Sequence, residues 1–237
     1  MAPMRRKNLS GVLLDVDGTL IDSNDAHAQS WSETLAEFGC PTPVARVRPM
    51  IGMGGDKLLP ALLGVDAESE EGKRFAKRRA EIFRQRYVPQ LRLTRGAKEL
   101  LERFRHEGLV LTIATSASVG ELETMLRQVG LAGLVDKKTS SGDVEHSKPD
   151  PDVVRAALTR SGLEADEVVM LGDTPYDIEA AHRAGVEAVA LLCGGWDADA
   201  LRDANAIYED PADLLRHFTA SPFSCASSSP GRSETMR

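Results

Sequence analysis

The patterned part of the chain begins with an unbroken apolar run, Gly11-Val12-Leu13-Leu14, and turns polar at Asp15. A run without polar alternation predicts a strand buried on both faces, as in a parallel sheet. Strand alternation then places the Asp15 and Asp17 side chains on one side, and Gly18 allows a sharp turn. After Ile21 the period changes. Ala28, Trp31, Leu35 and Phe38 recur at helical spacing, with Asn24 or Asp25 as N-cap and Gly39 as stop. An irregular, Pro-rich stretch from Pro41 to Pro49 leads to Ile51-Gly52-Met53-Gly54-Gly55, and Asp56 caps a helix running through Leu63. Ala76, Ala80, Phe83 and Tyr87 mark one face of a third helix over 69–87. Residues 22–95 therefore read as an all-helical insert directly behind the first strand.

From Gly96 onward strands and helices alternate. A helix with Ala97, Leu100, Leu101 and Phe104 on one face precedes a strand over 109–114. There follow a helix over 119–129, a short strand near Leu134 and Val135, and a helix from Pro151. The last units are a strand over 167–171, a helix over 176–184 and a strand over 186–192. Such alternation predicts βα units and a parallel sheet, an α/β fold that binds ligands outside the carboxyl ends of its strands. The expected division is a core from 1–21 and 96–219 with the helical insert over 22–95. The Ser-rich segment 220–237 has little apolar content and is expected to be disordered.

Composition narrows the class without choosing a function. At 237 residues, 42% hydrophobic and 27% charged, the chain suits one large domain or a core plus a modest insert. No apolar run approaches the roughly 20 residues of a membrane span, so no membrane partner is expected. Met1 to Ser10 has basic residues, but the apolar run after it is too short for the h-region of a secretory signal. The net charge of −7 argues against nucleic acid as a partner. Cys40, Cys193 and Cys225 are scattered, odd in number and without metal-ligand spacing, which points to reduced thiols and a cytoplasmic setting.

The chemistry gathers at the predicted strand ends. Two aspartates at a buried strand tip are costly unless a cation or a substrate uses them. The bland account is a solvated acidic turn. A chance match to Asp-x-Asp-Gly-Thr in such a chain has odds of only about a few in a thousand, which favours the functional reading. The strand over 109–114 ends in Thr115-Ser116, and the strand over 167–171 ends in Gly172-Asp173-Thr174-Pro175-Tyr176-Asp177. Between them Lys148 precedes a helix with Pro151 at its favoured first position. Each alone is weak; together, in order on one sheet edge, they are strong. Phosphate-ester hydrolysis asks for these residue types. A carboxylate nucleophile is repelled by a phosphate dianion, and a divalent cation, a lysine and hydroxyl groups offset that repulsion.

Asp15-Val16-Asp17-Gly18-Thr19 and the three later motifs resemble the haloacid dehalogenase superfamily over residues 11 to about 192. The resemblance implies a Rossmann-like core with a helical cap. It implies an Mg²⁺-dependent phosphatase acting on a small phosphorylated metabolite through an aspartyl-phosphate. By the same resemblance Asp15 is the nucleophile and Asp17 the general acid and base. Thr115 and Lys148 hold and balance the phosphoryl group, with Gly18, Thr19 and Ser116 beside the substrate. Asp15, the backbone carbonyl of Asp17 and Asp173 match the metal ligands, and Asp177 is an auxiliary metal residue. Haloalkanoate dehalogenases lack an aspartate at the place of Asp17, because departing halide needs no proton.

The insert resembles the cap of phosphoglycolate phosphatases and β-phosphoglucomutases, with hinges over 21–24 and 91–96. His27 and Trp31 fall where the mutases carry a His and a Trp; a surface histidine and a core tryptophan are the bland alternatives. The loop Gly52 to Lys57, including Gly54, is a candidate specificity loop facing the leaving group. Gly55 stands where the mutases carry an arginine for a second phosphate, although Lys57 is near. The basic run from Lys73 to Arg86 reads as a solvated helix face, with one or two cations available to an anionic substrate as the sharper alternative. A sugar phosphomutase using the same intermediate is the nearest alternative function. A phospho-receiver module is a remote one, because receivers have no insert after the first strand. A monomer and a homodimer both suit the sequence.

Overall fold

The computed structural model describes residues 9–224. In chain order the strands are β1 (Gly11–Leu14), β2 (Ile21–Asp22), β3 (Arg92–Leu93), β4 (Val110–Ala114), β5 (Lys137–Thr139), β6 (Val168–Gly172), β7 (Glu187–Leu191) and β8 (Ala206–Tyr208). The helices are α1 (Asn24–Glu37), α2 (Val44–Val47), α3 (Gly55–Leu63), α4 (Glu70–Ile82), α5 (Ala97–His106), α6 (Val119–Gln128), α7 (Asp152–Ser161), α8 (Pro175–Arg183) and α9 (Pro211–Arg216). Six strands form one parallel sheet in the order β5-β4-β1-β6-β7-β8.

Alternation along β1 explains why its sequence is apolar throughout. Val12 and Leu14 face a core shared with Leu100, Phe104 and Leu122, while Leu13 faces Val153, Ala157 and Ile178 on the other side. Both faces are covered by helices, which selects apolar residues all along β1. The chain passes from β1 to β4 and β5 on one side, then returns to β6, β7 and β8 on the other. This puts β1 at the switch point, where the loops after β1, β4 and β6 diverge and leave a crevice. β2 and β3, the segments entering and leaving the helical insert, pair antiparallel with Ile21 opposite Leu93. The insert has its own apolar cluster, including Ala28, Trp31, Leu35, Leu58, Leu59 and Phe75. No helix among the described residues is long and apolar enough to cross a membrane.

Several elements differ from the sequence reading. β1 stops at Leu14, so Asp15 and Asp17 lie just past it, Asp15 still bonded to β6 through its N–H and Asp17 in an isolated bridge with Ile21. Ser23, not Asn24 or Asp25, holds the N-cap position of α1. The stretch expected to be irregular contains α2, and the third helix ends at Ile82 in a π-helical turn, Phe83–Tyr87. The strand expected near Leu134 and Val135 lies instead at Lys137–Thr139, an edge strand whose lysines have no second neighbouring strand to face. The segment expected to be disordered is packed at its start. Phe223 is 0% exposed, with its ring 4.9 Å from that of Phe104; residues 225–237 lie outside the described residues.

Candidate active site

Asp15 is the first residue past β1, and its backbone N–H donates to the carbonyl of Leu171 on β6 at 2.9 Å. That bond fixes the Asp15 backbone at the mouth of the crevice. Its carboxylate accepts from Lys148 Nζ at 2.5 Å, and the same ammonium donates to Asp177 Oδ1 at 2.7 Å. Lys148 is only 1% exposed, and an isolated buried ammonium costs several kcal/mol, so two carboxylates are needed to hold it there. Burial disfavours its charge, yet Asp15 and Asp177 outweigh that effect and keep its pKa above the usual lysine value. The second oxygen of Asp177 accepts from Thr174 N at 3.0 Å and Thr174 Oγ1 at 2.7 Å, closing the capping box of α8.

Asp173 stands beside this pair. It accepts from Thr19 Oγ1 at 3.0 Å and from Asn24 Nδ2 at 2.8 Å. Two glycines make room for it. A Cβ on Gly18 would come 2.3 Å from Asp173 Oδ2, and one on Gly194 would come 1.8 Å from it. Gly18 also has a φ of 78°, a conformation that side-chain-bearing residues rarely adopt. One oxygen each from Asp15, Asp173 and Asp177 lies within 4.8 Å of the others. Burial, with Asp177 and Asp17 adding, raises Asp15 to about 7; burial and the neighbouring carboxylates also raise Asp173 well above its ordinary value. When ionised, three carboxylates against one ammonium carry two uncompensated negative charges, which one divalent cation would balance. Their hard oxygen donors suit Mg²⁺.

Asp17 has separate partners. Its Oδ1 accepts from Ser23 Oγ at 2.5 Å and meets His27 Nε2 at 2.7 Å. His27 Nδ1 faces Arg79 Nη2. A guanidinium can only donate, so Nδ1 must accept and the imidazole proton sits on Nε2, directed at Asp17. The ring lies stacked on Phe83 at 4.1 Å between centroids. Arg79 Nη1 in turn donates to Glu121 Oε2 at 2.6 Å. Burial alone would raise the Asp17 carboxyl; the bonds from His27 and Ser23 and the Arg79 charge overcome it and hold the group below the usual carboxylate range.

A cavity of about 430 Å³ joins these groups, bordered by Asp15, Asp17, Thr115 and Ser116 from the core and by Trp31 and Gly54 from the insert. Ser116 Oγ is buried without a partner, and Thr115 Oγ1 accepts from Ala117 N at 3.1 Å, which leaves its hydroxyl proton free for a ligand oxygen. The insert is seated on the core by Lys57 to Asp150 at 2.5 Å, Arg48 to the Gly194 carbonyl at 2.5 Å, and Tyr176 to the Pro49 carbonyl at 2.8 Å.

Asp15, Asp17, Thr115, Ser116, His27, Gly54 and Lys148 are thus brought together, with Asp173 and Asp177 behind them. Gly18 and Thr19, expected at the substrate, serve Asp173 instead and do not border the cavity. Asp17, expected at the metal through its backbone carbonyl only, turns its carboxylate to His27, and that carboxylate is not part of the group formed by Asp15, Asp173 and Asp177. Gly54 is present because the insert approaches closely: its Cβ would lie 2.1 Å from Ser147 Oγ. Ser23, Asn24, Arg79, Glu121 and Gly194 were not picked out for the site. Helical register held the signal for Arg79, which lies three residues after Ala76 and four before Phe83. Most other cations of that run, such as Arg74 and Lys77, are exposed as the solvated-face reading requires.

A sheet edge that gathers buried carboxylates around a lysine, roofed by helices, is an arrangement suited to phosphate-ester hydrolysis. Comparison with known proteins points the same way. The family description Haloacid dehalogenase-like hydrolase matches residues 12–191, and the chain belongs to that family as a phosphoric monoester hydrolase. It is 30% identical over 212 residues to phosphoglycolate phosphatase of Rhodospirillum rubrum, covering 86% of this chain and 88% of that one. Identity is also 30% over 220 residues to pyrophosphatase PpaX of Bacillus velezensis, with 91% and 99% covered. Among solved structures, a hydrolase from Pseudomonas syringae matches with a TM-score of 0.81 at 34% identity, over 88% of this chain and 97% of that one.

Proposed function

We propose that the chain is an Mg²⁺-dependent phosphatase that hydrolyses a small phosphorylated metabolite through a phosphoaspartyl intermediate on Asp15. The supporting observation is the separation of the two aspartates: Asp15 is tied to Lys148, whereas Asp17 is tied to His27 and Ser23. In this reading Asp15 Oδ attacks phosphorus while Thr115 and Ser116 hold the phosphoryl oxygens and Lys148 offsets their charge. Asp17 gives a proton to the departing alkoxide and then takes one from the water that attacks the phosphoaspartate. In the free site Asp17 is ionised; a phosphoryl group beside it adds negative charge, which raises its pKa toward the acid role. Asp15, Asp173 and the Asp17 backbone carbonyl would hold the metal, with Asp177 alongside. Bound Mg²⁺ supplies the positive charge that lets a phosphate dianion approach a carboxylate. The free thiols Cys40 and Cys193 suit a reducing, cytoplasmic setting.

Dialysis against EDTA should abolish phosphate release from p-nitrophenyl phosphate, and added Mg²⁺ should restore it. Acid-quenched enzyme should carry phosphate on Asp15, and Asp15→Asn should carry none. Full turnover in EDTA, or by Asp15→Asn, would overturn the reading.

A further inference from the structure

We infer that the cavity takes a phosphate ester whose alcohol part carries no second negative charge; this rests on the phosphatase reading above. Apart from Asp15 and Asp17, the described residues bordering the cavity include four carboxylates, Asp56, Glu68, Glu121 and Glu145, against two cations, Lys73 and Arg79. Neither cation is unpaired, and of the Arg79 donors only Nε, itself buried, lacks a partner. Arg79 is committed to Glu121 at 2.6 Å, with both side chains only 12% exposed, and to His27 by its other terminal nitrogen. A substrate anion that captured Arg79 would have to displace Glu121 and leave that carboxylate poorly solvated. Lys73 sits 3.6 Å from Glu68 with its side chain 57% exposed, where water and salt weaken its pull.

The helix ends at the cavity do not supply the missing charge. α3 and α6 both begin beside it, and each carries a carboxylate in its first turn, Asp56 and Glu121, which cancels the attraction of the helix N-terminus for anions. A carboxylate or second phosphate on the leaving group would therefore enter a net-acidic chamber. A neutral alcohol meets no such field, and Ser141, Met53 and Ala80 offer it a hydroxyl partner and apolar contact. An ammonium group would be attracted.

The test is a series of three near-isosteric esters with Mg²⁺: 2-phosphoglycolate, 2-hydroxyethyl phosphate and 2-aminoethyl phosphate, with p-nitrophenyl phosphate as reference. An ester turned over too slowly to follow is ranked by its inhibition of p-nitrophenyl phosphate hydrolysis. The neutral and cationic esters should exceed phosphoglycolate by about tenfold or more in kcat/KM or in apparent affinity. Glu121→Gln should release Arg79 and narrow that gap by about threefold or more. A Glu121 that only supports the fold would lower all rates together and leave the ratio unchanged, which counts against the inference. Phosphoglycolate equal to or better than its neutral analogue overturns it while Mg²⁺-dependent p-nitrophenyl phosphate hydrolysis leaves the phosphatase reading standing. No hydrolysis of any ester, p-nitrophenyl phosphate included, removes both.

Discussion

Ser23 holds the N-cap position of α1, yet its hydroxyl goes to Asp17 Oδ1, 2.5 Å away, and caps nothing. A capping serine ordinarily stabilises its helix by about 1 kcal/mol. Here the helix start orients a carboxylate instead. We predict that Ser23→Ala changes the melting temperature little while lowering kcat for alkyl phosphates by on the order of tenfold, since Asp17 loses one of its two positioning bonds. A large drop in melting temperature with an unchanged rate would show that the hydroxyl serves the fold and not Asp17.

The packed start of the C-terminal segment makes a second prediction. Phe223 is fully buried on Phe104, whose ring also lies 5.9 Å from that of Phe218. Removing a buried aromatic side chain costs about 3 kcal/mol or more, which in a chain of this size lowers the melting temperature by on the order of 10 °C. Phe223→Ala, and a chain ending at Ala220, should both show that loss by scanning calorimetry. A shift of less than about 2 °C would mean the phenyl ring contributes little in solution.

Which features could be read in advance follows from how each is stabilised. β1, β4 and β6 were legible because helices cover both faces, which selects for apolar runs, interrupted only by Thr112 in β4. Asp15, Thr115 and Asp173 were legible because each stands at a strand end, and a parallel sheet gathers those ends on one edge, while Lys148 was legible from its place just ahead of α7. β5 was misplaced because an edge strand tolerates lysines and so loses its apolar signature. Arg79 was hidden among seven cations between Lys73 and Arg86, since composition does not say which one turns inward. Gly194 gave no signal at all. It is needed only because Asp173, 21 positions earlier, passes where its Cβ would be, a constraint that exists only after folding.

The contact between Lys57 and Asp150 ties the insert to the core at 2.5 Å, and it carries a pH signature. The bond from Lys57, with Arg183 assisting, holds the Asp150 carboxyl below its ordinary value. A depressed carboxylate contributes stability above its unfolded pKa of about 3.9 and loses it as pH falls through the lower native value. Asp150→Asn should therefore lower stability at pH 7 by up to about 1 kcal/mol, because the pair is partly exposed. Paired thermal scans from pH 8 down to pH 3 should show the mutant and wild-type curves converging below about pH 4. A difference that persists undiminished at pH 3 would assign the effect to packing and not to charge.

Asp15 and Asp17 should be separable by the basicity of the leaving group. On the proposed roles, Asp17→Asn keeps the nucleophile with its Lys148 contact but removes the proton donor. An alkyl phosphate must leave as a strongly basic alkoxide, so its first step should fail in this variant. p-Nitrophenolate is a weak base and departs without a proton, so Asp15 should still become phosphorylated. The second step then stalls, because Asp17 is also the base for the attacking water. Rapid-quench kinetics of Asp17→Asn with p-nitrophenyl phosphate should show a burst of at most about one nitrophenolate per enzyme, followed by slow turnover. Asp15→Asn should show neither phase with either substrate. Near-wild-type hydrolysis of an alkyl phosphate by Asp17→Asn would refute the assignment, since some other group would then be supplying the proton.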